Sequence, residues 1–435
     1  MVLRGARQVG KSTAVRMFAE SQKRTLYEIN LERYPSLDKT FATLDLGVIR
    51  SELEGALKKG IDDQAGLLFL DEVQATPHAL AALRYFHEEW PQLPVIAAGS
   101  LLEFALSDHS FSMPVGRIQY MFMQPLTFAE FLLAKGEPWL LEQIQTYELG
   151  KPWPLSLHEQ LKKLLRTYFL LGGMPEVVAY HCKHPRGGDW VGLQDNIVGT
   201  YRDDFAKYEK KSQIPLLQSV YDRLPREIGH KIKASNIDPD KRAAQVRTCI
   251  QHLVQARLVR PALHTSGDGV PLGAQVDDKV FKSYWLDIGL LNRMVGMDLP
   301  LAGTDESLFF KGKLAEQFVA QHLTDFASAK DHQTLYYWLR EGKTGNAEVD
   351  FLVQKGTEIL PIEVKSGKSG ALKSLLQFVA LRGCRRAVKL SLDLPAIERA
   401  NHEVPTPEGA RRAEFQLYHL PLYFAGELNR LLGGQ

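Results

Sequence analysis

The 435-residue sequence predicts an α/β chain of several domains, and three observations carry that reading. A glycine-bearing run near the start, VLRGARQVGKST at 2–13, leads into a stretch with helical spacing of apolar residues (Val15, Phe18, Ala19). The run GLLFLDEVQ at 66–74 has the continuous hydrophobicity of a strand buried on both faces of a parallel sheet. Towards the far end, a helical segment, three strand-like runs, a further helix and a further strand follow in order. Strands alternating with helices in this way give sheets covered by helices.

Composition sets the outer limits. Chains of this length form roughly two to four domains. A hydrophobic content of 45% with 24% charged residues is ordinary for a water-exposed globular chain. The net charge of +2 gives no whole-chain footprint for nucleic acid, so any such contact must come from a local patch. Cys182, Cys249 and Cys384 lie far apart, without the spacing of a zinc ribbon or a disulfide framework, and a reducing, cytoplasmic setting is expected. Apolar runs such as AGLLFL at 65–70 fall far short of the roughly 20 residues of a membrane span, so no membrane partner is expected. No charged-then-apolar leader precedes the first motif.

The first motif reads Gly5, Ala6, Arg7, Gln8, Val9, Gly10, Lys11, Ser12, Thr13. Its glycines let the backbone curl so that successive N–H groups converge on phosphate oxygens. Lys11 adds a positive charge at the outer phosphates, Ser12 offers a hydroxyl to Mg²⁺, and the helix that starts here adds its dipole. Only MVLR remains for the strand that should precede such a loop, against the five or six residues typical of strands.

Sixty residues on, Asp71 and Glu72 end the apolar strand. Asp71 can hold Mg²⁺ through water, and Glu72 can polarise an attacking water. The run LPVIAAGSLLEFAL at 93–106 reads as another buried strand whose tip, Ser100, senses a terminal phosphate or caps the next helix. In VGRIQYMFMQPLTFAEFLL at 115–133, Arg117 is either a sensor of phosphate charge, within the subunit or from a neighbouring copy, or a surface arginine.

These residues resemble the AAA-type ATPases of bacteria and archaea that carry a C-terminal domain of unknown function with a nuclease-like fold. The likeness rests on LRGARQVGKST, LLFLDEVQ, AAGS and the segment from Gly116-Arg117 to PLTFAEFL, and continues through YFLLGGMPEVV, YRDDFAKY, YWLDIGLLNRMVG, GKLAEQFVAQHL, AEVDFLV and PIEVKSG. It implies ATP and Mg²⁺ as ligands. It also implies further sequence before the phosphate loop, and hydrolysis at subunit contacts in a homo-oligomer, with Arg117 the one nominee for a neighbour's arginine.

On this reading residues 1–135 form the AAA-type P-loop core and 136–212 a helical lid, with LHEQLKKLLRTYFLLGG carrying an apolar stripe (Leu161, Leu164, Leu165, Tyr168) and GGMPEV a turn without chemistry. Residues 213–265 read as a winged helix-turn-helix: two helical patterns flank the polar connector KIKASNIDPD, and the strand-like ARLVRPAL follows. Val246, Ile250 and Leu253 share one face of the second helix, and Lys241, Gln245, Thr248, Gln251 and His252 the other, which suits either DNA or a protein partner. TSGDGVPLGAQVDDK at 265–279 reads as a loop.

Residues 266–435 read as a restriction-endonuclease-like α/β domain. Its strands are LYYWLRE (335–341), AEVDFLV (347–353) and ILPIEVKSG (359–367), placed between the helices GKLAEQFVAQHL and GALKSLLQFVALRG and followed by RRAVKLSL. Such folds pair an acid on one strand with E-x-K on the next; the matching residues are Asp350, Glu363 and Lys365, with Glu316 on the preceding helix and Glu348 the second-choice acid. Leu360, Ile362 and Val364 point to one side of their strand and Glu363 and Lys365 to the other. Two carboxylates and a lysine converging there could hold Mg²⁺ and activate a water against a phosphodiester. The competing reading is a solvent-facing ion pair on an edge strand.

The whole sequence therefore predicts a Mg²⁺-dependent ATP-binding protein, and an ATPase, whose nucleotide state controls the C-terminal domains. Three outlets stay open: a switch acting through protein partners, a DNA-associated ATPase, and an ATP-controlled nuclease.

Overall fold

The computed structural model describes residues 1–100, 102, 104, 116–185, 187–208, 210–296, 312–323, 334–342, 346–365, 372–406 and 409–433. The ends of the expected 93–106 and 359–367 runs, and Val115, lie outside the described residues. The chain divides into two compact units. The first comprises Met1–Pro125, Asp204–Lys211 and Gln251–Leu258; the second comprises Leu126–Asp203, Ser212–Ile250 and Val259–Gln435.

In the first unit five strands form a parallel sheet: β1 (Val2–Arg4), β2 (Thr25–Asn30), β3 (Gly66–Asp71), β4 (Val95–Gly99) and β5 (Tyr120–Phe122), in the order β2-β3-β4-β1-β5. The three-residue β1 sits inside the sheet, with Leu3 beside Ala98 on one neighbour and Met121 on the other. Burial on both faces explains the unbroken apolar run of β3. Leu67 and Phe69 pack with Val15 and Ala19 of the helix Lys11–Ser21. Leu68 and Leu70 pack on the other side against Ile49 and Leu53 of Leu46–Leu57 and Leu80 and Phe86 of Pro77–Glu89. The alternation continues past the apolar run, so Asp71 turns to the face that carries Ser12. Connections leaving β1 and β4 run in opposite directions, and the crevice at the carboxyl ends of such neighbours is where open α/β sheets take ligands.

The second unit is built on eight strands in the order β12-β13-β11-β10-β9-β8-β6-β7. These are β6 (Val259–Thr265), β7 (Val276–Trp285), β8 (Leu335–Arg340), β9 (Ala347–Lys355), β10 (Glu358–Val364), β11 (Arg386–Ser391), β12 (Ala396–Thr406) and β13 (Gly409–Pro421). With the helices Lys313–His322 and Lys373–Arg382, the expected helix, three strands, helix, strand order is present. Two readings of the sequence need correction. The 265–279 segment is not all loop, since β7 starts at Val276; its first residues are exposed and charged, which hid the strand. The strand expected to end a winged helix, β6, pairs with both β7 and β8, so one sheet runs across the 265/266 boundary.

Of the helices expected as a lid, Phe205–Tyr208 falls in the first unit, and Pro138–Thr146, Leu155–Leu171, Pro175–Lys183 and Trp190–Asp203 fall in the second. There the GGMPEV turn is held by close backbone approach: Gly173 accepts from the Leu126 N–H at 2.7 Å and donates to Asp287 Oδ2 at 2.6 Å. A Cβ on Gly173 would lie 2.0 Å from the Leu126 carbonyl oxygen, so only glycine fits. The helix Ala243–Gln255 buries Val246, Ile250 and Leu253 and exposes Lys241, Gln245, Thr248 and Gln251 along or beside it, as expected. His252 departs from that face, because its ring meets Phe104 edge-on. Among the described residues no helix is long and apolar enough to cross a membrane.

Candidate active site

The phosphate loop forms as its sequence requires. Gly5, Gln8 and Gly10 adopt positive φ, which curls the backbone between β1 and the helix Lys11–Ser21. A Cβ on Gly5 would come within 2.3 Å of the Met123 carbonyl oxygen, so this glycine is dictated by space as well as by conformation. Lys11 is buried, and its Nζ donates to the carbonyls of Gly5 at 3.1 Å and Ala6 at 2.8 Å. Ser12 Oγ donates to Asp71 Oδ2 at 2.8 Å, joining the two residues expected to hold Mg²⁺. Asp71 Oδ1 accepts from the Glu72 N–H at 3.0 Å. Burial raises the Asp71 carboxyl above the ordinary aspartate value, and the Ser12 bond opposes that.

Glu72 sits at φ 54, in the left-handed region, which carries its side chain away from the line of β3. Gln74 Nε2 donates to Glu72 Oε2 at 2.5 Å, and the Arg7 guanidinium lies 3.9 Å from Glu72 Oε1. Arg7 also binds Asp204 Oδ1 at 2.8 Å. Around the strand tips several buried polar atoms have no hydrogen-bond partner among the described residues: Asn30 Oδ1, Gln74 Oε1, Thr76 Oγ1 and Ser100 Oγ. Buried groups of this kind ordinarily find partners, so a set of them at the carboxyl edge of a parallel sheet fits a polar ligand or ion. Arg117 is half exposed and ion-paired with Glu88 at 3.3 Å.

A second charged centre lies in the other unit. Val349 packs with Trp338, Leu375 and Phe378, while Glu348 and Asp350 turn to Lys282 on β7, where the helix Lys313–His322 brings Glu316. Asp350 Oδ2 accepts from the Val364 N–H at 2.8 Å. Glu363 and Lys365 project together from β10, with Lys365 Nζ 2.6 Å from Glu363 Oε1. Their strand is interior, between β9 and β11, and Glu363 is only 5% exposed, so this is not a solvent-facing pair on an edge. The structure thus brings Glu316, Glu348 and Asp350 around Lys282 and pairs Glu363 with Lys365.

What the motif omits is Lys282. Lys282, fully buried, is paired with Glu348 and lies 3.7 Å from Glu316 Oε2 and 3.9 Å from Asp350 Oδ1. Lys313 Nζ is 2.7 Å from Glu316 Oε1, and Tyr284 Oη donates to Glu316 Oε2 at 3.2 Å. Burial alone would lower the Lys282 ammonium, but Glu316, Asp350 and Glu348 raise it above the ordinary lysine value. Burial, with Glu316 and Glu363 nearby, holds the Asp350 carboxyl well above its usual range. Among the described residues no group of three or more His, Cys, Asp or Glu side chains is arranged as a metal site. These carboxylates surround an ammonium, and they do not fit a Mg²⁺ ion.

Residues 1–132 match the family model described as an AAA domain. This part of the chain is similar to AAA-type ATPases. Residues 162–301 match a domain of unknown function (DUF8612), and residues 311–407 another (DUF4143). Among solved structures, a Walker-type ATPase of Pyrococcus abyssi is 15% identical, with a TM-score of 0.41, over 68% of this chain and 90% of that one. The ORC2 protein of Aeropyrum pernix, in its ADPNP–ADP complexes, is 11% identical, with a TM-score of 0.32, over 68% and 86%. No curated protein matches the chain.

Within the first unit, Gln74, Asn30 and Asp204, the partner of Arg7, are the site residues that sequence reasoning missed. Gln74 was within reach, two residues after the acid pair, on the turn Val73–Ala75 that follows β3. Asp204 lies 197 residues from Arg7, and nothing local in YRDDFAKY marks which of its acids turns inward.

Proposed function

We propose that the chain is a Mg²⁺-dependent ATPase, with ATP bound by the loop Gly5–Thr13 of its AAA-type unit. The observation that carries this is the Ser12–Asp71 hydrogen bond beside a buried Lys11. Ser12 and Asp71 would hold the ion, which when bound supplies positive charge against the phosphates. Lys11 binds the outer phosphates: its ammonium is already withdrawn from water onto two neutral carbonyls, and charged phosphate oxygens are stronger acceptors. Glu72 orients the attacking water and takes its proton, with Gln74 holding the carboxylate in place. Ser100 Oγ, buried without a partner among the described residues, senses the terminal phosphate from the tip of β4. Arg117 serves as a sensor from a neighbouring copy.

Arg7 gives this unit a way to report its nucleotide. It belongs to the phosphate loop, yet its guanidinium is held by the buried Asp204, whose chain continues directly into segments of the second unit. A phosphate arriving at the loop competes for Arg7 and loosens that clasp. The outlet we favour is a switch acting through protein partners, because the acidic centre of the second unit surrounds Lys282. Calorimetry tests the nucleotide claim. Lys11→Ala should weaken ATP binding roughly 10²-fold or more; unchanged affinity rules out the loop as the ATP site.

A further inference from the structure

We infer that Lys282 is a tethered cation, its ammonium standing where a divalent ion would otherwise bind among Glu316, Glu348 and Asp350. The acidic centre is then a closed structural node, despite carrying the acid and E-x-K residues of a metal-dependent nuclease.

Position comes first. Lys282 and Tyr284 lie two residues apart on β7 and reach the same carboxylate, Glu316, so β7 presents its buried face to the acids. The Lys282 Nζ lies within 4 Å of carboxylates from the helix Lys313–His322 and from β9, and 4.9 Å from the Tyr337 ring centroid. Mg²⁺ takes oxygen ligands at about 2.0–2.1 Å and usually keeps several waters. An ion among these oxygens would sit against a fixed positive charge in a setting that screens it poorly.

Charge agrees with position. Four carboxylates (Glu316, Glu348, Asp350, Glu363) meet three lysines (Lys282, Lys313, Lys365), a deficit of one positive charge. Lys282 lies within 4 Å of three of the four, Glu316, Glu348 and Asp350, and Lys365 lies 2.6 Å from the fourth, Glu363. Each of the four carboxylates thus already has an ammonium within 4 Å.

The test is Mn²⁺ binding to the full chain without nucleotide, followed by the EPR signal of the free ion, in an Asp71→Asn background that silences the phosphate loop. With Lys282 present, no Mn²⁺ site dependent on Asp350 should appear. Lys282→Gln should gain about one Mn²⁺ per chain, and adding Asp350→Asn should remove it. An Asp350-dependent site in the protein that keeps Lys282 overturns the inference. So does a folded Lys282→Gln, checked by circular dichroism, that gains no ion. Should Lys282→Gln fail to fold, comparing Mn²⁺ binding with and without Asp350→Asn, Lys282 intact, still decides the matter. This inference concerns the second unit alone, so its failure leaves the ATP reading untouched.

Discussion

Lys11 and Lys282 are both buried beside acid residues, and they do opposite things. Lys11 rests on two backbone carbonyls, with the acid pair Asp71-Glu72 joined to Ser12, Gln74 and Arg7 around it. Neutral acceptors are easily exchanged for a phosphate, and the strand tips nearby keep unpartnered polar atoms. Lys282 rests on carboxylates, and its neighbours Lys313 and Lys365 are paired in turn. The first centre holds its lysine on neutral acceptors that a ligand can replace, while in the second every lysine is already paired with a carboxylate. Sequence motifs name residue types; whether those residues are already spoken for decides whether a ligand can enter.

That contrast is most exposed to stability measurements. Lys282→Met should destabilise the chain by about 3–5 kcal/mol in urea unfolding, because it strands buried carboxylates without their counter-charge. Lys11→Met should cost far less, about 1 kcal/mol, since it leaves two carbonyls rather than charges unpaired. Equal losses at the two positions would erase the distinction.

A smaller effect sharpens the same comparison through pH. Burial raises the Asp350 carboxyl well above its ordinary value. From about pH 3.9 upward, the unfolded chain releases this proton while the folded chain keeps it, so stability falls as pH rises through the window up to the raised value. Asp350→Asn should flatten that slope, by up to about 1.4 kcal/mol per pH unit where the two states differ by a full proton. A slope unchanged by Asp350→Asn would show that the acidic centre is ionised throughout.

Much of this was legible in the sequence, and the omissions share a cause. The loop Gly5–Thr13, the Asp71-Glu72 pair and the acids Glu316, Asp350 and Glu363 all stand in local sequence patterns, and the structure brings them into the two centres. Lys282 was hidden because β7 opens with the exposed charged residues Asp277, Asp278 and Lys279, which read as loop, and its partners lie 34 to 68 residues away on other elements. The long hairpin of β12 and β13 was missed for a related reason. Its buried positions, among them Ala400, Val404, Ala413 and Phe415, alternate with charged residues and include small side chains, so the apolar signal is thin. Partnership across sequence distance is set by topology, and no window of residues contains it.

Phosphate release in the presence of ATP and Mg²⁺ tests the central claim most directly, comparing the wild type with Glu72→Gln and Lys365→Ala. The ATPase reading predicts that Glu72→Gln still binds ATP but hydrolyses it roughly 10²–10⁴-fold more slowly, while Lys365→Ala releases phosphate at the wild-type rate. Wild-type turnover by Glu72→Gln, or its loss in a folded Lys365→Ala, would contradict the assignment of ATP chemistry to the first unit.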